Sequence, residues 1–143
     1  MTEIQRSALL PYASDKLFEL VNDIEAYPQY MDGCVGAQII ERSDELIEAR
    51  LDLARAGIRQ SFSTRNHLLG TETILLQLVE GPFEYFEGRW EFKALGPAAC
   101  KVSLALQFQV SSRLMGAAAG SLFDRVTNNL VDAISQRAKV VYG

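Results

Sequence analysis

The chain has 143 residues, 48% hydrophobic and 22% charged, with a formal net charge of −4. These figures suit one folded domain, residues 1–143, with a sizeable core, and they speak against a general nucleic-acid binder, whose phosphate contacts need clustered Lys and Arg. No window approaches the roughly 20 apolar residues that span a bilayer, and Glu3, Gln5, Arg6 and Ser7 interrupt any signal-peptide core, so a cytoplasmic protein is expected.

In chain order, Glu3–Leu10 reads as a first strand. Ser14 is placed to cap a short helix through Asn22, with Leu17, Phe18, Leu20 and Val21 on its apolar face. A second short turn over Glu25–Met31 is interrupted by Pro28. Asp32–Gly33 then turns the chain. Gln38–Arg42 is a strand, and Ile47, Ala49, Leu51 and Leu53 alternate with Glu48, Arg50 and Asp52 in the next. Ile58–Asn66 follows Gly57, and Ile74, Leu76 and Leu78 alternate before Gly81-Pro82.

The last two strands are the clearest. Phe86, Gly88, Trp90 and Phe92 point one way, against Glu87, Arg89, Glu91 and Lys93. After the turn at Gly96-Pro97, Cys100, Val102, Leu104, Leu106, Phe108 and Val110 share one face. From about Arg113 to Val141, apolar residues recur every three or four positions at Met115, Ala119, Leu122, Val126, Leu130, Ile134, Ala138 and Val141. This predicts one long helix with a continuous stripe, capped by Ser111 or Ser112. About 28 residues at 1.5 Å each give a helix of roughly 42 Å. The order is that of an α+β domain: about seven antiparallel strands, two short helices after the first, and a long terminal helix across the concave side.

Catalytic groups are sparse. The one histidine, His67, cannot build a multi-His metal site and reads as structural or solvent-exposed. Asp23 and Glu25 read as capping groups, and Glu84, Glu87 and Glu91 as a wet sheet face. Cys34 and Cys100 make no CxxC pair and read as buried free thiols. No phosphate-binding glycine loop is present. No catalytic set, metal or cofactor is therefore expected.

The aromatics suggest binding instead. Phe62, Phe86, Trp90, Phe92 and Phe108 fall on inward strand faces, with Tyr27 and Tyr30 where the short helices would close one end. The set expected to line a cavity adds Met31, Arg65, Met115, Ala119, Leu122, Phe123 and Val126. Gly116 and Gly120, four apart, would thin one helix face for close packing or for a ligand tail. Arg65 could point inward to a ligand carbonyl. It could also point outward with Arg59 and Arg89, in an ion-paired strand face or a cationic surface.

Several segments together resemble the coenzyme Q-binding START-like proteins of the polyketide cyclase (SRPBCC) type. They are Leu20–Tyr30, Gly57-Ile58-Arg59 with Ser63–Asn66, Glu80–Phe83 with Glu87–Trp90, Cys100–Ser103 and Ser111–Leu114. The resemblance covers the whole chain in the same order. It implies the helix-grip fold and binding of ubiquinone or another isoprenoid lipid, in support of respiratory electron transfer. One bacterial branch is further implied to bind the large ribosomal subunit and block subunit association as a toxin. Related proteins with polyketide cyclase activity supply a minor alternative. Where many relatives carry Pro-Trp-Cys, this chain has Asp32-Gly33-Cys34.

Overall fold

The computed structural model describes residues 1–111 and 117–143, and the side chains of 1–111 and 120–143. Seven strands form one curved antiparallel sheet in the order β1-β7-β6-β5-β4-β3-β2. The strands are β1 (Thr2–Leu10), β2 (Cys34–Arg42), β3 (Leu46–Arg55), β4 (Ile58–Leu69), β5 (Thr73–Glu80), β6 (Phe83–Gly96) and β7 (Ala99–Val110). Each consecutive pair from β2 to β7 is a hairpin, and β1 closes onto β7 from the other end of the chain. The architecture is the α+β helix-grip fold.

Strand alternation sorts the side chains onto two faces. The concave face buries Ile47, Ala49 and Leu53 of β3, Ile74 of β5, Trp90 and Phe92 of β6, and five apolar residues of β7 from Cys100 to Phe108. The convex face carries Glu48, Arg50 and Asp52 beside Arg59, Ser61, Arg65 and His67. Arg65 lies opposite Glu48 and pairs with it at 2.8 Å. It therefore faces away from the concave side, and its expected place in the lining is corrected. Arg50–Asp52 at 3.0 Å and Arg89–Glu91 at 2.7 Å are similar convex-face pairs. A surface built on Arg59, Arg65 and Arg89 thus has two of its three cations neutralised by neighbours.

Helix α1 (Ser14–Asn22) and a 3-10 turn (Ile24–Gln29) follow β1. Ser14 is the first helical residue, and Ala13 occupies the cap position without a side-chain bond. Asp23 ends one helix and starts the turn, its backbone amide donating to the Leu20 carbonyl and its side chain making no capping bond. Both capping expectations fail: the free amides near Ala13 instead use its backbone carbonyl, which accepts from Lys16 and Leu17.

The C-terminal stripe is divided. Helix α2 (Ala117–Asn128) and helix α3 (Leu130–Tyr142) meet at Asn129, whose φ of −97° and ψ of −2° stay right-handed but whose amide donates to the Val126 carbonyl, the tighter 3-10 spacing. In α3 the buried positions are Val131, Ile134 and Ala138. Val141, expected on the buried stripe, is 49% exposed, because the helix ends at Tyr142, which turns back to α1 and donates to the Lys16 carbonyl at 2.9 Å. The expected cap at Ser112 and the helix start at Arg113 lie outside the described residues. So does Gly116. A methyl group at Gly120 would sit 3.7 Å from Val110, an ordinary contact, so this glycine is not required for close packing.

Candidate functional site: an apolar cavity under α2

Between the concave face and α2 lies a partly open cavity of about 70 Å³. Its floor is Leu51 of β3, Phe62 and Thr64 of β4, Leu76 of β5, Phe86 and Trp90 of β6, and Leu104 and Leu106 of β7. Phe123 and Thr127 of α2 form the roof, Leu130 begins α3 beside them, and Tyr27 closes the side. Gly88 sits among these floor residues on β6. A Cβ there would come within 2.6 Å of Leu106 and 2.9 Å of Leu76, so the missing side chain is what admits two lining leucines.

One end is an aromatic cluster centred on Phe123. Its ring centroid lies 4.6 Å from Phe108, 4.7 Å from Phe83 and 5.3 Å from Phe62, all near edge-to-face. Phe62 also borders an open surface hollow of about 450 Å³ between Gln60–Ser63 and Glu80–Pro82. There β5 stops at Glu80, so β4 from Ile58 to Phe62 pairs only with β3. The Phe62 ring thus stands as the partition between the inner cavity and solvent.

The expected lining residues divide as follows. Tyr27, Phe62, Phe86, Trp90 and Phe123 border the cavity. Phe92 and Phe108 face the concave side but are consumed by packing: Phe92 stacks on Trp90 and meets Phe18 edge-on, and Phe108 supports Phe123. Leu122 and Met31 are buried in the core without reaching the cavity. Tyr30 packs under the Arg137 guanidinium, 5.0 Å from its ring centroid. Val126 rests on Gly33, where any Cβ would approach its methyl to 2.7 Å. Met115 and the side chain of Ala119 lie outside the described residues.

Leu51, Leu76, Leu104 and Leu106 belong to the same inward alternation that marks the aromatics, and Leu130 to the helical stripe, so pattern alone could have placed them. Thr64 and Thr127 were missed because they are polar. Both are buried, at 8% and 4% exposure, and both are hydrogen-bonded. The Thr64 hydroxyl donates to Asn66 Oδ1 at 2.7 Å, and that of Thr127 to the Phe123 carbonyl at 2.8 Å. The Tyr27 hydroxyl donates to the Val21 carbonyl. Burial pushes the Tyr27 phenol well above its ordinary value, with Tyr30 adding to the rise, so the group stays a neutral donor.

Burial likewise pushes up the Tyr30 phenol and the thiols of Cys34 and Cys100. The thiols are therefore poor nucleophiles near neutral pH. His67 sits on the convex face against Gln77, 2.9 Å away. Among the described residues, no group of three or more His, Cys, Asp or Glu is arranged to hold a metal ion, and no helix is long and apolar enough to cross a membrane.

Residues 10–135 match the family described as polyketide cyclase / dehydrase and lipid transport. A "Ribosome association toxin RatA" from Pseudomonas aeruginosa is 46% identical over 142 residues, covering 99% of both chains. A more distant relative is the "Coenzyme Q-binding protein COQ10 homolog B, mitochondrial" of Xenopus laevis, 19% identical over 99% of this chain and 59% of its own. Among solved structures, the Zhui aromatase/cyclase from a Streptomyces species superposes with a TM-score of 0.80 at 18% identity, over 96% of this chain and 93% of that one; it shows the fold alone. The chain belongs to the polyketide cyclase / dehydrase and lipid transport family of START-like proteins, with RatA proteins among its full-length relatives.

Proposed function

We propose that this protein binds a small apolar molecule, or one apolar part of a larger one, in the cavity under α2. The observation that carries the reading is the wall of leucines and aromatic rings under two α2 side chains, Phe123 and Thr127. Its lining side chains include no carboxylate, imidazole, thiol or amine, which supports binding over turnover. Size restricts the ligand. Sites for drug-sized molecules run to roughly 300–1,000 Å³, several times the space present here. The space is about half of the roughly 150 Å³ that holds a benzene ring, so a short alkyl end, such as the tip of an isoprenoid chain, is the scale that suits it. A whole ubiquinone requires α2 to lift from the sheet or the Phe62 partition to swing aside. Ubiquinone and a role in respiration are the finer form of this reading, supported by the distant coenzyme Q-binding relative.

The test is mass spectrometry of the organic extract of purified protein, with titration of short-chain ubiquinone followed by Trp90 fluorescence and melting temperature. Co-purified lipid, or a saturable change at Trp90, is the expected result. Repeated absence of both overturns the reading.

A second activity, association with the ribosome, is favoured by the full-length likeness to RatA, and it would use the outside of the same domain. Lys93 and Lys101 are exposed and directly opposite one another on β6 and β7. Like charges so placed repel, so a phosphate partner would relieve them. Sucrose gradients with added protein should show more free subunits at the expense of assembled ribosomes. The Lys93→Glu/Lys101→Glu variant should lose that effect. An unchanged profile with the unaltered protein rejects this activity and leaves the cavity reading standing.

A further inference from the structure

The sheet is open, with β1 at one edge and β2 at the other, and the two edges meet solvent differently. An edge with free amides and carbonyls is a template for another strand unless the chain blunts it. β2 is blunted. Its pairing with β3 shifts register between Cys34 and Gly36 and again between Ile39 and Glu41, which leaves Val35 and Ile40 bulged out of the ladder. Such bulges twist an edge away from an incoming strand. β1 has no such device. Its 9 residues, Thr2–Leu10, match Phe108 to Cys100 one for one without a shift, and none of them is proline or lysine. Among the described residues, no backbone hydrogen bond joins β1 to any segment but β7. Its one cation, Arg6, is tied to Asn128 Oδ1 on α2 at 2.8 Å and does not guard the edge. Leu9, on the convex side of β1, is 71% exposed, and Met1, just before the strand, 69%.

We propose that β1 is a self-association edge: two copies of this chain pair their first strands antiparallel about a two-fold axis through Gln5, joining the two sheets edge to edge. Opposed residues of such a pair share a face, so the axis passes through a residue and its own counterpart. At Arg6 it would set two guanidiniums against each other, a repulsive pair. At Ser7 it would set Leu9 against Gln5, and at Ile4 it would leave Leu9 beyond the pairing. At Gln5 the contacts agree. The two Gln5 amides face each other, and each carries both donor and acceptor. Glu3, which accepts from Gln107 at 2.6 Å through one oxygen, has the other for the Ser7 hydroxyl of the second copy, and the contact occurs twice. Leu9 meets Met1, so the exposed apolar pair covers itself. On the concave side Thr2 meets Ala8 and Ile4 meets Arg6, with no like charges opposed. One strand pair buries less than the roughly 1,200 Å² of a stable complex, so the dimer is weak and concentration-dependent. With the axis standing across the sheet, both convex faces, each with its Lys93 and Lys101, look the same way. Nothing in the pairing depends on what the cavity holds.

Cross-linking reads the register, and sedimentation reads the association. The cysteines of two Gln5→Cys chains would be directly opposed, about 4.5–5.5 Å apart at Cα and within disulfide reach. Those of two Ser7→Cys chains would be four residues out of step, roughly 14 Å apart, and beyond it. With oxidised glutathione, Gln5→Cys should form disulfide dimers roughly tenfold faster than Ser7→Cys or than the unaltered chain, whose Cys34 and Cys100 are buried. A mixture of Glu3→Cys and Ser7→Cys should cross-link where neither does alone. Sedimentation equilibrium of the full unaltered chain, up to millimolar concentration, should show a reversible dimer. Gln5→Lys opposes two ammoniums at the axis and should weaken it several-fold, with the melting temperature of the dilute protein unchanged because Gln5 is exposed. A monomer at every concentration overturns the proposal, as does equal or faster cross-linking at Ser7. A dimer that Gln5→Lys leaves intact also overturns it, since the interface then lies elsewhere.

Discussion

Helices α2 and α3 derive from one apolar stripe but meet the sheet differently. α3 packs on β1, β7 and α1, and Ile134 and Ala138 are wholly buried there. α2 covers β3 and β4, and beneath Phe123 and Thr127 a space remains. The difference lies in what each helix rests on. α3 rests on the small and branched residues of β1 and β7, with Val131, Ile134 and Ala138 buried against the core. The far side of α2 is propped where Val126 meets the backbone of Gly33, whose φ of +89° and absent Cβ permit the contact. The cavity is thus bounded by a contact outside it. The division also teaches that a continuous stripe in sequence does not guarantee a continuous seal.

Substitutions can break this contrast. The largest stability loss is expected for Ile134→Ala, about 4 kcal/mol by denaturant melts, since a fully packed site collapses poorly. It should not improve binding of any guest. Phe123→Ala should cost about 3 kcal/mol and enlarge the cavity, so a ring-sized hydrocarbon should become able to bind, read by Trp90 fluorescence. Equal ligand responses from the two variants would erase the distinction between the helices. Gly33→Ala should cost about 2 kcal/mol from the left-handed backbone and the clash with Val126. Adding Val126→Ala should return the clash portion, leaving the backbone strain.

The two thiols report on the helices separately. Cys34 follows Gly33 and so lies beside the α2 prop, whereas Cys100 lies on β7, a strand that α3 packs against. Both react slowly while burial holds their thiols protonated. If α2 opens more readily, Cys34 should be alkylated about tenfold faster, a difference of roughly 1.4 kcal/mol in opening. The smallest effect concerns the α3 side. Among the described residues, the buried Tyr30 hydroxyl has no partner, and neither has Nε of the neighbouring Arg137. Tyr30→Phe should stabilise the protein by about 1 kcal/mol, read as a higher melting temperature.

Most of the frame was legible in the residues. Alternation in Cys100–Val110 and Phe86–Lys93 placed the last hairpin and its inward face, and turn residues at Gly70, Gly81 and Gly96 separated the strands. The orientation of Arg65 was also within reach. A two-residue turn at Ala56–Gly57 counts back to Glu48 opposite Arg65, a carboxylate on the wet face. The break at Asn129 was not legible, since the apolar spacing runs through it. Nor was the split between lining and filling aromatics. Phe86 and Phe108 are directly opposed on the same face, and the position of Phe123 decides which of them meets open space. Thr64 and Thr127 carried no sign of their place, because a buried threonine is recognised by its hydrogen bond and not by periodicity.

The pairing of β1 with β7 has a consequence for how the chain is made. Thr2 lies opposite Phe108 and Leu10 opposite Cys100, so during synthesis the earliest strand of this sheet waits for the latest. At roughly 5–20 residues per second, the intervening hundred residues take about 5–20 s to appear. Throughout that interval Ile4 and Leu10, later buried, have no sheet to join. Strand β1 is therefore exposed for longer than any other strand of the sheet, and is where a holding chaperone would have most to protect.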